Sequence, residues 1–316
     1  MRKSLLSCLM VAVMLLLGSV QASALNKDSE GVYQISTVTE LLDFADLVNF
    51  GTETNAKAVL LNDLDLYGEE YYPIGNVEHP YIGTFDGKGH IIKNLNIDAE
   101  TIGIEEYLGF FGVVSGGATI SHIIIGGGDD AFIGGSRFCA GVVGGTNGKG
   151  NVLIENCGNE AWIYTTEENA AGILGVDMLS EADVTILNCY NTGEIKGGRE
   201  CAALCGWIGD HGVMKNCWNT GEVTSGADTG RPFCRFNGCE FENNWDTQCV
   251  QENIGKILES DLKGIVTGEF CYRVLNQTAI ENVAWYQKLG TDEHPYPFAD
   301  HGTVYAVGDL NCDCTA

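Results

Sequence analysis

Proline and positive charge are scarce in this chain. Only 5 of its 316 residues are Pro, against 42 Gly, and the glycines follow no Gly-X-Y period, so a collagen-like rod is excluded. Lys and Arg number 17 against 43 Asp and Glu, a formal net charge of −26. That balance argues against nucleic acid or anionic lipid as a partner, because both are polyanions. It permits cations, basic partners and neutral glycans without selecting among them. Apolar runs long enough to span a bilayer are missing beyond the first 24 residues. Catalytic signatures are missing as well. The chain has no His-Glu-x-x-His, no Lys and Arg cluster of the kind a polysaccharide lyase needs, and no Cys with a local nucleophile signature.

What is present begins with an export signal. Arg2 and Lys3 precede an apolar run from Leu5 to Leu17, and Ala22-Ser23-Ala24 fits a small-residue cleavage site. Residues 1–24 are therefore predicted to be a removable signal peptide, and the protein to be exported, to the extracellular space or the cell surface. Losing Arg2 and Lys3 moves the net charge from −26 to −28.

The strongest pattern is a repeat. Ile186-Leu187-Asn188-Cys189-Tyr190-Asn191-Thr192-Gly193 recurs as Met214-Lys215-Asn216-Cys217-Trp218-Asn219-Thr220-Gly221. Looser copies surround Asn156-Cys157 and Asn244-Trp245, and Asn62, Asn94 and His122 hold the same slot upstream. A second landmark, Gly-apolar-apolar-Gly, closes at Gly112, Gly144, Gly175 and Gly206, with a diverged copy at Gly238. Both landmarks share a period near thirty. Between them lie short β-branched strands such as Val184–Leu187, with no room for a ten-residue helix. Propeller blades need about 40 residues and four strands. The pattern therefore predicts an all-β parallel β-helix of about seven coils over residues 56–250, with glycines supplying positive φ at the corners.

Cysteine then reads differently from its number. Of the 13 Cys, Cys157, Cys189 and Cys217 occupy one slot in three successive coils, and Cys139 and Cys201 share another. Stacked side chains point the same way, which is poor geometry for a bridge, so a reduced interior ladder is expected, with Asn156, Asn188 and Asn216 beside it. Cys234, Cys239, Cys249, Cys271, Cys312 and Cys314 lie where the repeat decays, and there bridges remain open. The ends need covers, because exposed strand edges aggregate. Thr37-Val38-Thr39-Glu40 is a capping box that predicts a helix over 38–49 within an N-terminal cap of residues 25–55. Ile257 to Leu275 is a second helical stretch, within a C-terminal capping segment of residues 251–316.

Gly83-Thr84-Phe85-Asp86-Gly87-Lys88-Gly89-His90, followed by the Gly-apolar-apolar-Gly units, resembles the GLUG-motif proteins. These are secreted or surface proteins of bacteria, and similar repeats flank the protease in immunoglobulin A-cleaving metallopeptidases. The resemblance implies a β-helix and an extracellular adhesive or scaffold role. It implies no defined ligand and no catalytic residues.

The remaining chemistry is fragmentary. Gly128-Asp129-Asp130 and Asp210-His211-Gly212 resemble two pieces of a polygalacturonase site, but the Asn-Thr-Asp and Arg-x-Lys pieces are missing. The six His read as surface or turn residues. Asp309, Asn311 and Asp313 look like the opening of a calcium loop that lacks its Gly and its final acid. No cofactor is implied. The aromatics at one repeat slot, Tyr190, Trp218 and Trp245, read either as rings covering a ladder edge or as an external stripe that could stack on sugar rings. The reading is a non-catalytic extracellular β-helix for adhesion or scaffolding, its partner a glycan or host protein, with a polysaccharide-active enzyme as the alternative.

Overall fold

The computed structural model describes residues 25–177, 181–226, 233–236, 238–248, 251–258, 270–271 and 283–304. The predicted signal peptide, Asp309, Asn311, Asp313, Cys249, Cys312 and Cys314 lie outside these residues, as does most of the helical stretch expected over 257–275.

The chain winds as a parallel β-solenoid of about six turns. One turn shows the plan: Gly150–Glu155 and Gly158–Asn159 enter the first sheet, Trp162–Ala171 the second and Leu174–Asp177 the third. Each strand then pairs with its copy in the next turn, Ile154 with Ile186 and Ile186 with Met214. The turn count falls one short of the expected seven. Among the described residues, no strand of the second sheet precedes Asn96 and none of the third precedes Phe111. The turn around Asn62 is therefore partial, and single bridges from Ile74 to Phe111 and from Tyr81 to Val114 complete it.

Strand alternation sends every second side chain inward. Ile97, Ile133, Ile163 and Ile195 stand in one register column of the second sheet, and all four are fully buried. Removing such a side chain from water stabilises by about 1.5–3 kcal/mol, so each column adds its gain turn by turn. At the N-terminal end, a helix we label α1 (Val38–Asn49) buries Leu41, Phe44, Ala45 and Val48 against this interior. Its capping box is formed. The Glu40 carboxylate accepts from the backbone N–H groups of Ser36 and Thr37, while Thr37 Oγ1 accepts from Glu40 N–H.

The corners show the expected positive φ of glycine, and a second residue type beside it: Gly126, Gly127 and Gly128 between the first and second sheets, and Gly117 and Gly148 between the third and the first, have φ from 73° to 147°. The slot of Asn94, His122, Asn156, Asn188, Asn216 and Asn243 has φ between 51° and 53°, and none of these residues is Gly. Asn tolerates this left-handed conformation better than most side chains. The landmark glycines Gly175 and Gly206 serve for close approach. A Cβ on Gly175 would lie 2.4 Å from the Gly144 carbonyl oxygen, and one on Gly206 2.5 Å from that of Gly175.

Cys157, Cys189 and Cys217 follow the corner asparagines and are buried and unbridged. Each thiol donates to the carbonyl two residues back, at 3.1 to 3.3 Å, which holds the corner closed. Burial pushes the Cys157 and Cys189 thiols well up. Cys139, Cys201, Cys234, Cys239 and Cys271 are likewise buried and unbridged.

Candidate functional site

Tyr190, Trp218 and Trp245 do form a stripe. They are register neighbours on the first sheet, and the Tyr190 and Trp218 rings stack at 5.0 Å with only 12° between their planes. The stripe is not external, however. Tyr190 and Trp218 are fully buried and Trp245 is half-buried, because residues 283–304 lie along this flank as a strap. Trp285 packs edge-on to both Tyr190 and Trp218 and donates its indole N–H to the Asn216 carbonyl. His294 lies against Tyr190, Trp218 and Tyr296 at 4.3 to 5.4 Å between ring centroids. Further along, Phe298 lies over Gly89 and beside His122.

Polar contacts fasten the strap. Glu160, at the corner before the second sheet, accepts from the Tyr190 hydroxyl at 2.7 Å and meets His294 Nε2 at 3.4 Å. Burial opposes charge on Glu160, yet His294 and Tyr190 together hold its carboxyl below the ordinary value. A cavity of about 590 Å³ remains between strap and rod, walled by Glu160, Trp218, Phe270, Glu293, His294 and Tyr296.

Beside the stripe runs an amide ladder. The Trp245 indole donates to Asn243, which donates to Asn216, then Asn188, then Asn156, at 2.8 to 3.2 Å per step. Asn156 donates to His122 Nε2, so His122 carries its proton on Nδ1 and donates it to Asp86 at 3.1 Å. Burial would raise the Asp86 carboxyl, but hydrogen bonds from His122 and Lys88 hold it well below the usual carboxylate range. A second, fully buried ladder runs the opposite way, from Asn159 through Asn191 and Asn219 to Asp246, at 2.7 to 2.8 Å. Its signal was the recurring Asn-Thr-Gly, which reads from sequence as plain turn chemistry.

The two polygalacturonase-like pieces stay apart. Asp129 and Asp130 occupy the corner between the first and second sheets, whereas Asp210 and His211 occupy the corner between the third and the first. The two polygalacturonase-like pieces thus lie on different edges of the rod. Five of the six His sit beside a carboxylate: His90 by Asp63, His122 by Asp86, His211 by Asp183, His294 by Glu160 and His301 by Asp292.

Sequence reading overlooked an aromatic set on the solvent side of the second sheet. On the second sheet, Phe132 and Trp162 are register partners, with ring centroids 4.9 Å apart, and Tyr164 follows at 6.1 Å. Trp162 is 44% exposed, while Phe132 and Tyr164 are half-buried. Each ring's place outside is fixed by its neighbour inside, Ile133 or Ile163. Gly134 leaves the space over which the Phe132 ring lies; a Cβ there would meet it at 2.3 Å.

No protein-family model matches this chain, and no curated protein matches it. A solved structure does. It is the 1.30 Å crystal structure of a protein from Bacteroides ovatus named "putative immunoglobulin A1 protease". It superposes with a TM-score of 0.54 at 16% sequence identity, covering 85% of this chain and 93% of that one. At this identity the likeness is one of fold.

Proposed function

We propose that this chain is an exported, non-catalytic β-solenoid that binds a ligand on one lateral face, serving adhesion or scaffolding at a bacterial surface or in its secretome. The observation that carries the reading is the solvent-facing side of the second sheet, where two adjacent coils present Phe132, Trp162 and Tyr164. Regular solenoids favour this use, because a stack of equal coils makes an extended binding surface. The sequence supports export through Arg2, Lys3 and Ala22-Ser23-Ala24. The protease name of the solved neighbour raises catalysis as the second reading, beside the glycan-active enzyme.

The test uses purified residues 25–316 on a glycan array and against a panel of host glycoproteins. Reducing-sugar release and immunoglobulin A1 cleavage are measured in parallel. Binding without turnover is expected. Release of reducing ends, or cleavage of immunoglobulin A1, would overturn the non-catalytic reading. N-terminal sequencing of the exported protein should begin at Leu25.

A further inference from the structure

We infer that Phe132, Trp162 and Tyr164 form a stacking site for a single, soluble chain of neutral sugars. The inference rests on the lateral-face reading above and names its ligand class.

Three observations carry it. The first is chemical. Aromatic faces open to water bind flat apolar surfaces, and a pyranose ring offers one through its C–H groups, with hydroxyls around its rim. The residues bordering the rings match that rim. Asn96 stands in register with Phe132, Asp98 with Gly134, and Lys196 with Tyr164, while Thr224 follows Lys196. Asn96, Lys196 and Thr224 are exposed and Asp98 is half-buried, so hydrogen-bonding side chains lie on both sides of the aromatic row.

Shape is the second observation. The Trp162 ring is inclined by 52° to Phe132 and by 48° to Tyr164. Such a surface is folded and cannot lie flush on the flat face of a crystalline polysaccharide. It suits one chain whose successive rings turn relative to each other. The patch is also small. Even fully buried, three aromatic side chains cover about 150–250 Å² each, and these are already partly covered, against the roughly 800 Å² per partner of a stable protein interface. A second copy of this chain or a folded protein needs more.

Charge is the third. Asp98 is in register with Gly134, and Glu194 accepts at its carbonyl from the Ile163 N–H beside Trp162, with Lys196 as the nearby cation, on a chain of net charge −26. Polyuronates and sulfated glycans are repelled by that field, which leaves neutral glycans as the favoured class.

Affinity is measured by calorimetry, and by mobility in native gels containing linear β-mannan, mixed-linkage β-glucan or polygalacturonate. The wild type is expected to bind a neutral polymer and to ignore polygalacturonate. Trp162→Ala should weaken that binding about tenfold, Tyr164→Ala less, and Trp162→Phe should retain most of it. If the neutral polymer binds and Trp162→Ala keeps full affinity, this site is wrong while the binding-module reading stands. Preference for polygalacturonate also overturns it. If the wild type binds neither neutral polymer, the inference fails, and retention on immobilised host glycoproteins then decides whether the wider reading falls with it. Thermal melting checks each variant's fold; should Trp162→Ala unfold, the affinities of Tyr164→Ala and Trp162→Phe decide in its place.

Discussion

The rod carries two groups of aromatic rings, one covered and one open. Tyr190, Trp218 and Trp245 stack on the first sheet and disappear beneath the strap, whereas Phe132, Trp162 and Tyr164 gather on the second sheet and stay open. In both the repeat places rings in adjacent coils, Tyr190 beside Trp218 and Phe132 beside Trp162, while Tyr164 lies two residues along the strand of Trp162. What separates them is the partner, because Trp285, His294 and Tyr296 reach only the first flank. Whether such a group of rings is covered or open thus depends on where the rest of the chain reaches.

The comparison breaks most sharply at its two tryptophans. Trp218→Ala should cost about 3–5 kcal/mol in urea unfolding, because the buried ring leaves a cavity under the strap. A loss under about 1 kcal/mol would mean that the strap contributes little.

Asn188→Ala comes next. It removes hydrogen bonds to Asn156 and Asn216 and places Ala at φ 52°, a combined cost of about 2–3 kcal/mol. Asn188→Gly should recover the backbone share and leave the ladder deficit, so the two variants separate turning from bonding.

Of the two groups of rings, acid should act on the covered one. The Glu160 carboxyl titrates below its ordinary 4.5 in the folded chain, so its contribution is full above that value and fades as pH falls through the lowered one. Asp86 behaves in the same direction. Tryptophan emission from the strap flank should therefore shift to the red on acidification before the far-ultraviolet β signal is lost. A single coincident transition would count against an independently fastened strap. The smallest effect is at the open row, where Trp162→Ala should change stability by no more than about 0.5 kcal/mol. Any larger loss would mark that ring as structural.

Much of this was legible in the sequence, for a definable reason. Residues repeated at one slot had to stack once the coils were in register, so Cys189 could be placed beside Cys157 and Cys217 from spacing alone. Helix α1 was legible because its box is local, confined to Thr37 and Glu40. The cover over Trp218 was not, because Trp285 and His294 lie far downstream and no period links them to the stripe. The role of Gly175 was hidden similarly: only a stacked neighbour, the Gly144 carbonyl, shows why a methyl cannot fit. Phe132 and Trp162 stood just ahead of the inward Ile133 and Ile163, a slot that neither landmark includes. Reading that slot across coils would have found the open row.

The outer amide ladder has a consequence for the history of such a rod. It starts at an indole N–H, which can only give a hydrogen, and ends at the Asp86 carboxylate, which can only take one. Every asparagine between them passes the bond along in one sense, so turning a single amide would set donor against donor on one side and acceptor against acceptor on the other. A coil duplicated or deleted between Asn156 and Asn216 leaves both ends, and hence the sense of every link, unchanged. Length is in this respect a free variable of the fold. A lineage could lengthen or shorten the rod one coil at a time while its first and last rungs stayed as they are.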